Sequence, residues 1–447
     1  MRIQFLKIAT LCVLTAAAAG ARDIQAGIAT VTFHPLEGML MAGYGARTAV
    51  SKGVLDPLQA KILVLEGKDK SVALVTMDLV GVLPTPQLDE IRARVKASSG
   101  IDDVIFNSSH THSGPYIVED PPEWQKQAAG DIGAGIEIAW KGRRPARVGV
   151  GRGSVLIGHN RLFFMSQGQG KMLWRNETRI PTAPVDPTVM ILRVDGEDHK
   201  PMAIVVNYAC HAVVLGPENL QYSADWPGEM KRTVEAAFPG TICLFVQGGA
   251  GNINPYYDKT PLIDNAVGLM RETGRTVGQE VLRVVPTIET HALPDVEMHL
   301  SRETLTFPGR WNRDKIFAAL GVPLSQLSFD TKNRIERATK PSYEAPVTTL
   351  LVGREFAFVG VPAEIFVDYQ IDIRSRVRDF PILFGGYTNG NLGYVPTIKA
   401  AVDGGYGANQ IGAFIAVGAG NRMIDTAIIR LGHWTGKLKD QSAPATE

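Results

Sequence analysis

Hydrophobic residues along this chain come in short, dense runs separated by polar loops. Apolar stretches rich in Val and Ile at positions 60–65, 72–76, 104–106, 202–207, 242–246, 355–359 and 381–384 are too short for helices and predict strands. Other apolar residues recur at helical spacing. Leu88, Ile91 and Val95 form one such set, Met230, Val234 and Phe238 another, and Phe366, Tyr369, Ile373 and Val377 a third. The stretch 423–431 also reads as helix. Strands alternating with helices predict an α/β fold, with mixed β-sheets surrounded by helices. The polar stretch 332–346 is expected to be a surface loop. No clean linker interrupts the pattern, so residues 22–447 are expected to form a single domain.

The polar side chains with chemical potential gather after the strands. Position 106 leads into His110-Thr111-His112-Ser113-Gly114-Pro115, and position 207 into Cys210-His211. Position 246 leads into a glycine loop running from Gln247 to Pro255, position 359 into Pro362-Ala363-Glu364, and position 384 into Gly386 through Tyr394. Ligands of α/β sheets bind outside the carboxyl ends of strands, so these five loops are expected to line one pocket.

Composition changes this picture little. With 447 residues, 45% hydrophobic and 20% charged, and a net charge of +1, the chain is an ordinary globular one, and nothing in it points to nucleic acid. The N-terminus stands apart. Met1-Arg2 and Lys7 precede an apolar run from Ile8 to Ala19, and Ala19-Gly20-Ala21 fits a small-residue cleavage site. Residues 1–21 are therefore expected to be a signal peptide and the remainder to be exported, periplasmic or secreted. Beyond it, Cys210 and Cys243 lie in apolar segments and are expected to be buried free thiols.

An H-x-H pair in a loop of small hydroxyl residues aims two imidazoles at one point, and a neutral imidazole is a common zinc ligand. His110, His211 and Glu364 can supply two nitrogens and a carboxylate. Glu364, following Pro362, is expected at the start of a helix, where the helix dipole favours its ionised form. Taken singly, these residues also have ordinary readings as loop histidines, a core histidine and a first-turn glutamate. The glycine loop lacks G-x-x-x-x-G-K-[ST], and no G-x-S-x-G elbow is present, which argues against nucleotide binding and a serine hydrolase. The loop's glycines are expected to let a ligand approach the backbone.

The motifs together resemble the neutral/alkaline, non-lysosomal ceramidases. His110 to Pro115 is similar to the family's HTHSGP signature, and Met41-Ala42-Gly43-Tyr44-Gly45 to its MxGY segment. Asn160-Arg161, Cys210-His211, Asp225-Trp226-Pro227-Gly228, Gln247 to Pro255, Pro362-Ala363-Glu364 and Thr388-Asn389 through Tyr394 and Thr397 follow in the family's order. The resemblance implies a zinc (Zn2+) site made by His110, His211, Glu364 and Tyr394, with His112, Arg161 and Tyr406 facing the scissile carbonyl. It also implies hydrolysis of an N-acylsphingosine-type C–N amide bond. Two departures are visible. Asn254 stands where the family's serine nucleophile would be, so attack by zinc-activated water is expected. The family's C-terminal immunoglobulin-like domain is expected to be missing. The implied partner is a small-molecule or lipid amide, with transient membrane contact where a lipid must be reached; no obligate protein partner is evident. A zinc hydrolase of a non-lipid amide or ester, and a non-catalytic ligand-binding homologue, remain as alternatives. For a long acyl chain, Leu162, Phe163, Phe164, Met165 and Leu392 are the candidate lining.

Overall fold

The architecture follows from three parallel strand–helix–strand units. A computed structural model describes residues 23–164, 170–320, 326–327 and 329–439. The expected leader, residues 1–21, and Met165 lie outside them. In the first unit, strands Ser71–Met77 and Asp103–Ser108 pair in parallel around helix Thr85–Ser99. In the second, Pro201–Tyr208 and Ile242–Gln247 pair in parallel around helix Asp225–Ala237. In the third, Phe356–Gly360 and Ile382–Gly385 pair in parallel around helix Val367–Arg376. Parallel neighbours need a crossover, and the helix supplies it.

The first two units are the two ends of one nine-stranded sheet, joined through antiparallel strands Thr188–Gly196, Arg144–Ser154, Gln25–Thr32 and Gln59–Glu66. The sheet curls until its outermost strands meet. The Gln247 backbone N–H donates to Asn107 Oδ1 at 3.0 Å, and Gln247 Nε2 donates to the Ser109 carbonyl at 2.9 Å. The third unit belongs to a four-stranded sheet with Met298–Pro308 and Ser342–Val352. Its apolar face packs against the large sheet, where Phe358 and Leu383 share a buried core with Leu65, Ile105, Leu192 and Leu244. Two buried asparagines tie the sheets. Asn207 donates to the Phe384 carbonyl at 2.8 Å and accepts from the Phe384 N–H at 2.8 Å, and Asn107 donates to the Gly386 carbonyl at 2.6 Å. All three carboxyl ends therefore open at one place.

The mixed-sheet α/β expectation matches this architecture, and every expected strand is present within one or two residues of its bounds. The stretch 332–346 does not form a loop. It contains the end of helix Phe329–Ala338 and the start of strand Ser342–Val352, whose polar residues alternate with buried ones because one face meets solvent. Cys210 and Cys243 are buried free thiols. Among the described residues, no helix is long and apolar enough to cross a membrane.

Candidate metal centre and active site

His110 leaves the first unit in the left-handed backbone region, at φ 61°. Non-glycine residues pay strain there, and such strain gathers at functional sites. Its ring is turned by the Val80 carbonyl, 2.5 Å from Nδ1. His211 leaves the second unit with Nδ1 2.6 Å from the Ala250 carbonyl and 3.1 Å from that of Ile253. A carbonyl only accepts, so both rings carry their proton on Nδ1 and present a bare Nε2. Glu364 comes from the third unit. Its Oε2 lies 3.3 Å from His110 Nε2 and 3.5 Å from His211 Nε2. Neither His211 Nε2 nor Glu364 Oε2, both buried, has a hydrogen-bond partner among the described residues.

These separations suit zinc. Bonds of about 2.0–2.2 Å in a tetrahedral shell place neighbouring ligand atoms roughly 3.3–3.6 Å apart. Orphaned buried acceptors around a common point are otherwise costly. His112 lies nearby, its Nε2 3.1 Å from His110 Nε2, and ring nitrogens of His110, His112 and His211 all fall within 4.8 Å of one another. A three-imidazole set is thus the alternative donor group. His112 differs from the other two, because its buried Nδ1 has no partner among the described residues and no carbonyl fixes its tautomer.

Burial pushes the His211 imidazole down to about 3 and holds that of His112 well below the usual range, with the neighbouring histidines adding to it. Burial opposes ionisation of Glu364; positive charge on the side of the His110 and His211 rings outweighs it and holds the carboxyl well below the usual carboxylate range, and with both rings neutral a cation has to supply that charge. The carboxylate does not owe this to a helix. Glu364 lies in the short strand Glu364–Ile365, before a helix that starts at Val367, so the expected dipole contribution is replaced by its imidazole neighbours. Tyr394 is registered beside Glu364 across the parallel pair Glu364–Ile365 and Tyr394–Val395. Its ring packs against Tyr406 at 5.5 Å. Burial, then the Glu364 charge, pushes its phenol well above the usual value, so a phenolate there calls for the offsetting charge of a metal.

Arg161 and Asn254 arrive on a two-stranded ribbon, Gly158–Asn160 against Ile253–Pro255. The Arg161 N–H donates to the Asn252 carbonyl at 2.9 Å. The guanidinium carbon sits 5.2 Å from the Tyr394 ring centre, 5.1 Å from that of Tyr406 and 5.7 Å from that of Trp174. Arg161 and Tyr406 are therefore on the wall beside Tyr394.

Other residues explain the remaining motifs. Tyr387, absent from the expected set, lies against His110 at 4.3 Å between ring centres, with its buried hydroxyl unpartnered among the described residues. Its signal was its place in a strand-end loop, which by itself assigns no role. Gln247 Nε2 braces both histidine loops, donating to the Ser109 and Cys210 carbonyls at 2.9 and 2.8 Å. The Asp225 carboxylate accepts from the Val214, Leu215 and Trp226 N–H groups, fixing the chain after His211. Gly43 has φ +100°, and an added Cβ would stand 2.3 Å from the His112 ring, so the MxGY-like segment presses on that histidine. A Cβ on Gly251 would stand 2.3 Å from the Glu364 carbonyl. At Gly251 the close approach is thus to the protein's own Glu364 loop, which corrects the expectation of a ligand there. Leu162 and Leu392 are buried in a core cluster, whereas Phe163 is 39% exposed, so of these three candidates for an acyl channel Phe163 is the one that faces out.

The chain matches no family model and no curated protein sequence. It does match solved structures. A ceramidase complexed with C2 superposes with a TM-score of 0.73 at 17% identity, covering 95% of this chain and 77% of the other. The neutral ceramidase from Pseudomonas aeruginosa gives a TM-score of 0.70 at 17% identity, with the same coverage of 95% and 77%. Over nearly its whole length, this chain has the fold of the neutral ceramidases.

Proposed function

We propose that the protein is an exported, zinc-dependent amide hydrolase of ceramidase type, acting by direct attack of water. The observation that carries the reading is the convergence of His110 Nε2, His211 Nε2 and Glu364 Oε2 from three strand ends, with edges of 3.3 and 3.5 Å and both Nδ1 atoms occupied by carbonyls. Tyr394 is the fourth ligand in this reading. A zinc ion bound there supplies Lewis-acid polarisation of the scissile carbonyl and makes water acidic enough to react near neutral pH. His112, which no carbonyl holds and whose Nδ1 has no partner among the described residues, takes the proton of the attacking water and returns it to the departing amine. Arg161 and Tyr406 donate to the oxygen on which charge develops, and each such donor is worth about 3 kcal/mol.

Ceramide is the default substrate by fold. A polar or anionic amide is the second reading, favoured by Lys259, whose Nζ sits 4.2 Å from the centre of the Trp174 ring on the same wall. The test is elemental analysis of the purified protein followed by hydrolysis of N-acyl compounds, lipid and polar. One zinc per chain, with release of a free amine, is the expected result. A protein without affinity for zinc, or one that binds zinc and cleaves no amide or ester, removes the reading. Export is tested by N-terminal sequencing, with a start near Arg22 expected.

A further inference from the structure

The serine position is filled by a residue whose side-chain oxygen and nitrogen are both engaged by charged neighbours. Asn254 is completely buried. Its Oδ1 accepts from Arg161 Nη1 at 3.1 Å, and its Nδ2 donates to Asp258 Oδ2 at 2.7 Å. Lys259 Nζ donates to the same carboxylate oxygen at 2.6 Å. Arg161 is also held by the Gly251 carbonyl, 2.6 Å from Nη2. The amide cannot turn over without putting its NH2 against a guanidinium and its oxygen against a carboxylate, so its orientation is fixed. Lys259 holds its end of the chain at φ 51°, in the left-handed region, while its N–H donates to the Val213 carbonyl at 2.8 Å. A strained lysine, a buried carboxylate and a buried arginine are thus joined through one amide.

We infer that Asn254 is a positioning residue that aims Arg161 at the reaction centre and couples it to the Asp258–Lys259 pair. It is neither a nucleophile nor a seat for water. A guanidinium between three aromatic rings has several stacked orientations of similar energy, and two acceptors, Asn254 Oδ1 and the Gly251 carbonyl, select one. A serine hydroxyl at this position is too short to reach both Arg161 and Asp258. The inference rests on the proposed role of Arg161 in hydrolysis, so its test has one arm that uses activity and one that does not.

In the first arm, Asn254→Ala is compared in native and Arg161→Ala backgrounds on the amide that the wild type cleaves. Asn254→Ala is expected to lower kcat about a hundredfold, as misplacement of a catalytic group does, with KM and zinc content little changed. In the Arg161→Ala background the same substitution is expected to cost nothing further, because its effect passes through Arg161. Losses that simply add overturn the inference. Should Asn254→Ala fail to fold, the exchanged pair Asn254→Asp with Asp258→Asn, which keeps an acceptor toward Arg161, is expected to recover what Asn254→Asp alone loses; no recovery overturns it. The second arm is a crystal structure of Asn254→Ala, or in its place of Asn254→Leu, which removes the acceptor at similar volume. The guanidinium is expected to leave its position, and one that stays put overturns the inference. If the wild type cleaves no amide, the hydrolase reading falls while this second arm still decides the clamp.

Discussion

The two walls of the candidate site solve the problem of buried polarity in opposite ways. On the imidazole wall, side chains are bound at their back atoms and left bare in front: carbonyls hold His110 and His211 by Nδ1, while His211 Nε2 and Glu364 Oε2 face a common point without hydrogen-bond partners among the described residues. On the Arg161 wall, side chains bind one another. Arg161, Asn254, Asp258 and Lys259 form a chain of donors and acceptors. Bare buried acceptors are unstable unless something with positive charge completes them. Among the described residues only Arg161 Nε and Asp258 Oδ1 of this network lack a partner, and the bonds between its members give it rigidity. In the reading proposed above, the first wall binds and the second aims.

Substitutions test that contrast, beginning with the largest effect. His110→Ala removes one of the two ligands, with His211, that both donor sets share. It is expected to cost more than the roughly hundredfold in zinc affinity typical of an outer-partner loss, and nearly all activity. Full metal content in the variant, read by elemental analysis, would contradict the imidazole wall. His112→Ala is expected to retain zinc while losing about 10²–10⁴ in kcat, the range for general acid–base groups. Loss of zinc instead would move His112 into the ligand set and favour three imidazoles. Arg161→Ala is expected to lower kcat by about 10²–10³ without affecting zinc, as for an oxyanion donor. A change confined to KM would show that Arg161 only holds substrate. The smallest effects separate Leu162 from Phe163. Leu162→Ala should destabilise the fold by about 2–5 kcal/mol in denaturant titration, because it empties a packed core position. Phe163→Ser, at an exposed position, should change stability by about 0.5 kcal/mol or less and act only on KM for long acyl chains. Equal destabilisation by both would show that Phe163 is packed and not a rim residue.

The same contrast separates what could be read in the sequence from what could not. Strands of the three parallel units are buried on both faces and therefore continuous in apolar residues, which made them and their strand-end loops visible. Of the antiparallel strands between them, only Gln59–Glu66 was visible in this way. Arg144–Ser154 alternates glycine with Val148, Val150 and Arg152 because Gly149 and Gly151 press against the 288–289 segment, where an added Cβ would stand 2.0 Å from the Glu289 carbonyl and 2.5 Å from Ile288. Met298–Pro308 shows a half-exposed alternation that resembles a polar loop. Helices Glu123–Lys141 and Ala266–Val284 carry several glycines in their packed faces, which weakens the helical signal.

The sequence by itself singled out the candidate donors: an H-x-H loop, a further histidine and a glutamate, each after an apolar run. Residue type and local periodicity are enough for that, since they are written within a few positions. Only the tertiary structure decided what the donors do together. The curl of the large sheet brings Gln247 onto the Ser109 loop, and the second sheet carries Glu364 to within 3.5 Å of two imidazoles. The use of Asn254 was likewise hidden, because its meaning lies in Arg161, 93 positions away in sequence and 3.1 Å away in space. Hydrogen bonds between distant segments leave no periodic trace in a chain, and these bonds, more than the identity of any residue, leave the acceptors of one wall bare and link the side chains of the other.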